Sequence, residues 1–161
     1  LAIIDTIDLT GTNPGGIAEG PDGNLYVMNS GNFSAGDGSL AVVDPDALTE
    51  IADYPGFGDF PSGVSFAPDG TLYTASFSYG VAAWNSATQA FVRAPDAAIE
   101  PGGTPSSSGV GVHPDGTVYA LAPICSGPSE AHQLDATYAV AATVTVGSCP
   151  TSIQFTTRSG S

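Results

Sequence analysis

Residues 62–78 read SGVSFAPDGTLYTASFS, and the same pattern stands twice more, as GGIAEGPDGNLYVMNSG at 15–31 and SGVGVHPDGTVYALAPI at 108–124. The shared Pro-Asp-Gly falls at 21–23, 68–70 and 114–116. A fourth start is visible as PTSIQF at 150–155. A fixed period in the forties, filled with short strands, is the signature of stacked four-stranded blades.

Each copy carries the physics of two strands and a turn. Apolar or paired positions alternate at Ile17/Glu19, Val64/Phe66, Val110/Val112 and Ile153/Phe155, the period of an innermost strand. In the turn, proline fixes φ, aspartate caps locally, and glycine takes positive φ. A second strand follows, with Tyr26, Tyr73 and Tyr119 at one register, so each tyrosine is expected to fill an equivalent site.

Third strands are expected at LAVVD (40–44), VAAWN (81–85) and HQLD (132–135), each closing on Asp or Asn as a turn requires. Fourth strands are expected near 50–54, 90–93 and 139–146. DALTEIA (46–52) is the best helical candidate, but its place in the repeat makes it turn plus strand.

The expected fold class is all-β, of β-propeller type, with three full antiparallel blades at 15–61, 62–107 and 108–149. Residues 1–14 are expected to form the outer strand of a preceding blade, and 150–161 the inner strand of a following one. Three repeats do not close a ring, since closed propellers use roughly four to eight blades. The end blades therefore expose apolar faces and strand edges, which further blades, a second copy or another subunit must cover.

Composition narrows the partners. Only 11% of the 161 residues are charged while 42% are hydrophobic, so a core is affordable and the polar surface rests on small side chains and backbone. The formal net charge is −14, with Arg93 and Arg158 the sole basic side chains besides two histidines. Such a chain repels phosphate backbones, which excludes nucleic acid. No apolar run reaches the roughly 20 residues of a membrane-spanning helix, so no membrane insertion is expected. Cationic partners and divalent metals stay open.

The two cysteines, Cys125 and Cys149, follow the second and fourth strands of the third repeat. Those strand ends share one rim of a blade, which makes a disulfide reasonable; two free thiols are the alternative. A disulfide favours an oxidising setting, hence a secreted, extracellular or periplasmic protein. Neither His113 nor His132 stands at zinc-ligand spacing from either cysteine. Asn32-Phe33-Ser34 is a glycosylation sequon in a glycine-rich loop. His113 precedes the turn proline where Gly20 and Ala67 stand elsewhere, and reads as a solvated turn residue. EPGGTPSSSG (100–109) reads as a linker between blades.

The pattern P-x-G-[IV]-x-x-x-PDG-x-[LV]-Y resembles NHL-type and YVTN-type propellers, streptogramin B lyase-like proteins and the SMP-30/gluconolactonase group. The last resemblance implies a divalent metal, Ca2+ or another, at the central channel, with Glu19 of Glu19-Gly20-Pro21 as a ligand. Such a site polarises a lactone carbonyl and activates water. The further ligands that group carries are Asn or Asp at the x position, where this chain has Gly15, Ser62, Ser108 and Thr151. The lyase resemblance implies His and Glu acid–base chemistry, for which His113 and Glu19 are the candidates.

Glu19 thus has three readings: a channel cation ligand, an ion-pair partner of Arg93, Arg158 or another chain's lysine, or a solvated strand end. Two functions follow. One is a non-enzymatic module, scaffold or interaction surface with no catalytic residues and no certain cofactor, completed by a protein partner or more copies. The other is part of a metal-dependent lactonase or lyase-like enzyme.

Overall fold

A computed structural model describes residues 5–33 and 35–155. They form three four-stranded antiparallel sheets, each with its strands in sequence order. The first contains β1 (Pro14–Glu19), β2 (Leu25–Asn29), β3 (Ser39–Asp44) and β4 (Thr49–Pro55). The second contains β5 (Pro61–Phe66), β6 (Thr71–Ser76), β7 (Gly80–Asn85) and β8 (Ala90–Arg93). The third contains β9 (Gly109–Val112), β10 (Val118–Ala122), β11 (Ser129–Leu134) and β12 (Val140–Val146). Two single-turn 3-10 segments, Pro95–Ala97 and Pro101–Gly103, lie between β8 and β9.

The repeated turns explain the repeated hairpins. In each, the Asp side chain accepts the N–H two residues on: Asp22 from Asn24 (3.2 Å), Asp69 from Thr71 (2.9 Å) and Asp115 from Thr117 (2.9 Å). The glycines that follow adopt φ of 81°, 83° and 92°, which an L side chain resists. Between the third and fourth strands, Asp44, Asn85 and Asp135 each cap two backbone N–H groups with one side-chain oxygen. DALTEIA turns at 45–48 and then runs into β4.

Cross-strand partners show which face each residue takes, because paired residues share a side of the sheet. In the first sheet Tyr26 pairs with Ala18 and Val42, and Met28 with Leu40. That front face meets the back of the second sheet, where Phe66 pairs with Leu72 and Leu72 with Trp84. Tyr26, Met28, Leu40, Val42, Phe57, Leu72 and Trp84 form the core between them. The second sheet repeats the relation with the third: Tyr73, Ala75, Val81 and Ala83 face Val110, Val118, Ala120 and Leu134. At both junctions the sheets stack in chain order, β1 beside β5 and β5 beside β9.

The 100–109 linker is more than a connection. Ile99 exchanges backbone hydrogen bonds with Val81 at 2.8 Å each way, and Pro101 and Ser107 are buried. Between these two anchors Gly102, Gly103, Thr104 and Pro105 are exposed.

The flanks differ from the sheets. Residues 5–13 carry no strand; Ile7 and Leu9 lie against Val27, Ala41 and Val43 on the back of the first sheet. Residues 150–155 also carry no strand among the described residues, yet they sit on β9 and β10. A Cβ at Gly111 would come within 2.9 Å of Ile153, so the bare backbone there makes room for it. Residues 1–4, 156–161 and Ser34, where parts of the expected outer strand, inner strand and sequon fall, lie outside the described residues.

Candidate functional site

The ends of the three inner strands converge on a cleft of about 470 Å³. It is lined by Glu19 and Pro21, Phe66 and Pro68, and Val112, His113 and Pro114, with Gly20 and Ala67 between them. The repeat therefore delivers one Pro-containing turn per sheet to a common rim. Tertiary structure brings Glu19 and His113, 94 residues apart in sequence, to the same hollow.

His113 is half-exposed, and its Nδ1 lies 2.8 Å from Asp115 Oδ1. Its ring edge meets Phe155 at 5.2 Å between centroids. Backbone and side-chain hydrogen bonds from Thr117, with His113 beside them, lower the Asp115 pKa to about 2. The Asp115 backbone N–H also donates to His113 Nδ1 at 3.3 Å, so both the backbone and the side chain of Asp115 meet the same ring nitrogen. His113 is a turn residue held by its own loop.

Glu19 is exposed, and among the described residues no cation pairs with it. Arg93, one of its expected partners, stands over the Tyr138 ring at 5.5 Å instead. Arg158 lies outside the described residues. The metal reading meets a poor donor set. Only Glu19 and His113 in the cleft carry metal-capable side chains, whereas a calcium site takes about six to eight oxygens. Among the described residues no group of three or more His, Cys, Asp or Glu is placed to hold a metal ion. Ser62, at one of the expected ligand positions, donates its hydroxyl to Ala75 O at 3.0 Å. These residues do not fit a divalent site by themselves.

A second hollow, about 530 Å³, opens between the second and third sheets, and Asp69, Tyr73, Asp115, Asp135 and Tyr138 line it. Tyr73 and Tyr138 meet through their hydroxyls at 3.3 Å. The Arg93–Tyr138–Tyr73 chain escaped sequence reading because Tyr138 belongs to a turn, off the repeated register.

The cysteines are joined: Cys125 and Cys149 form a disulfide with Cα atoms 4.3 Å apart. Ser129 Oγ accepts the N–H groups of Ile124 and Cys149, tying the segment after β10 to the one after β12. Asn32 is exposed and donates its side-chain N–H to Asp37 at 2.7 Å.

The three tyrosines fill equivalent sites. Tyr26 meets Phe66 edge-on at 4.9 Å, across the first junction. Tyr119 meets Phe155 at 5.2 Å. Tyr73 lies in the core against which Val112 packs. Each tyrosine thus faces the end of the next inner segment, and the 150–155 stretch continues that arrangement beyond the third sheet.

Solved structures share this geometry. One of Kuenenia stuttgartiensis hydrazine synthase matches with TM-score 0.63 and 26% identity, over 83% of this chain and 37% of that one. The WD40 repeats of RRP9 match with TM-score 0.60 and 10% identity, over 85% and 40%. The β-propeller domain of Cps50 (Swd1) from Myceliophteria thermophila matches with TM-score 0.58 and 13% identity, over 90% and 41%. The chain is built of β-propeller blades. Its blades are not closed into a ring, and it spans less than half the length of these structures. No family model and no curated protein matches the sequence.

Proposed function

We propose that this chain is a non-enzymatic propeller module, a scaffold or interaction surface whose ring other blades complete. The carrying observation is the pair of end faces. Ile17 on the first blade is 62% exposed, whereas Val110, its repeat equivalent at an inner junction, is 6% exposed. At the other end Val144 of β12 is also 62% exposed. Apolar residues in a register that is covered elsewhere mark a surface made to be covered. The disulfide favours an extracellular or periplasmic setting, where Asn32 would stand exposed as a glycan acceptor. The test is binding of an apolar-sensing dye to the native chain, together with its mass by light scattering. Dye binding or association supports the reading. A cooperative, dye-free monomer of 16.0 kDa contradicts it.

One observation favours a second reading, that the module is part of a lactonase- or lyase-like enzyme of the kind the Glu-Gly-Pro resemblance implies. Glu19 and His113 share a cleft, and Asp115 orients the imidazole. In that reading other blades supply the missing donors. A calcium-dependent rise in melting temperature that disappears in Glu19→Ala favours it; no response favours the scaffold.

A further inference from the structure

The outer strands of the three blades are edges, and two of them are guarded. β4 carries Glu50, Asp53 and Pro55, and Glu50 accepts the Thr10 N–H at 2.8 Å. β8 is four residues long and ends on Arg93, with Pro95 close behind. Charge, proline and brevity are the devices by which an edge refuses another strand. β12 has none of them. It runs seven residues, VAATVTV, without a charge or a proline, and β-branched side chains suit it to pairing. It is last in its sheet, and among the described residues nothing pairs with its outer edge.

This edge is also held in place. The turn before it is fixed by Asp135, whose Oδ1 accepts the backbone N–H groups of Thr137 and Ala139. The segment after it is fixed by the Cys125–Cys149 disulfide and by Ser129. After one register shift near its start, β12 pairs regularly with β11 from Ala142 to Val146. A template that is already ordered loses little freedom when a strand adds to it.

We infer that β12 takes up an extended segment of another protein as a fifth strand of the third sheet, one in which β-branched apolar residues alternate with basic ones. This rests on the interaction-surface reading above and names the partner. Backbone groups along the free edge supply the pairing, and the side chains beside them set the choice. Ala142, Val144 and Val146 give the edge an apolar face, and Thr143 and Thr145 give it a polar one. On the polar face Glu130 pairs with Thr145 one strand in; its side chain is half-exposed, 3.4 Å from His132 Nε2. Asp135 is exposed in the turn that leads to Val140. A basic side chain on the polar face therefore finds a carboxylate towards either end, whereas an acidic one meets repulsion. The same charge argues against a second copy, which would bring another −14 to the edge.

Fluorescence anisotropy with the intact chain tests this, the probe being the labelled peptide Lys-Val-Thr-Val-Lys-Val-Lys, with amide hydrogen exchange to locate it. The expected result is binding that protects β12 amides and weakens about tenfold as salt rises from about 0.05 M to about 0.5 M. The peptide with Glu in place of each Lys binds at least about tenfold more weakly. Val144→Lys gives the edge the guard it lacks and abolishes binding; the urea midpoint stays unchanged, since Val144 is 62% exposed. Glu130→Gln weakens binding about threefold and lessens its salt dependence. Equal binding of the two peptides, protection outside β12, or undiminished binding by Val144→Lys overturns the proposal. Protection of β12 in the chain alone, growing with its concentration, gives the edge to a second copy and overturns it too. A chain that binds neither peptide yet binds the apolar-sensing dye overturns the edge and leaves the module reading standing. A dye-free monomer that binds neither overturns both.

Discussion

At the scale of single residues, the repeated aspartates are acceptors before they are charges. Asp115 and Asp135 each take N–H and hydroxyl donors from their own turn, and their pKa values are lowered, that of Asp115 to about 2. Burial pushes Asp22 the other way, but hydrogen bonds from Asn24 and Tyr26 outweigh it. A carboxylate with a depressed folded pKa stabilises the fold above its unfolded pKa, and that stabilisation is lost as pH falls through the folded value. Unfolding midpoints in urea should therefore drop as pH falls from 3.8 towards about 2, with Asp115→Asn showing a shallower drop. The turn glycines give a second expectation. Gly70 has φ of +83°, so Gly70→Ala should cost about 1–2 kcal/mol in urea unfolding. These residues were legible in sequence because their chemistry is local: a turn is settled within four or five positions.

Elements add what residues do not show. Trp84 is 2% exposed and touches Tyr26, Tyr54 and Phe57, so it joins two sheets rather than serving one. Trp84→Ala should cost about 3–5 kcal/mol, read from the urea midpoint. Phe66→Glu transplants the first blade's exception into a filled junction, against Tyr26. It should destabilise by about 2 kcal/mol or more, since a carboxylate there lacks a partner. The disulfide closes 24 residues around β11 and β12, and Cys125→Ser with Cys149→Ser should cost about 2–4 kcal/mol. The strand pattern was readable because alternation and turn residues repeat. The 3-10 segments and the Val81–Ile99 pairing were not, because the 94–108 stretch has no counterpart in the other repeats.

On the scale of the whole molecule, charge and end faces act together. A net charge of −14 favours solubility and resists self-association, while uncovered apolar strips at both ends favour it. Salt shifts that balance towards association and also eases repulsion within the fold. The melting temperature of the chain should therefore rise between low and moderate salt, a trend that calorimetry at fixed protein concentration would reveal. The cleft belongs to this scale as well: its walls are strand ends from three sheets, and no one repeat contains it.

The sequence by itself determined the blade. Period, turn chemistry and strand alternation are written in short windows, and so are the tyrosine register and the cysteines at one rim. Tertiary structure decided what those windows face. It put Glu19 and His113 on one hollow and placed Arg93 over the Tyr138 ring. The reason is physical: local order depends on neighbours along the chain, whereas the environment of a side chain depends on the sheet stacked against it.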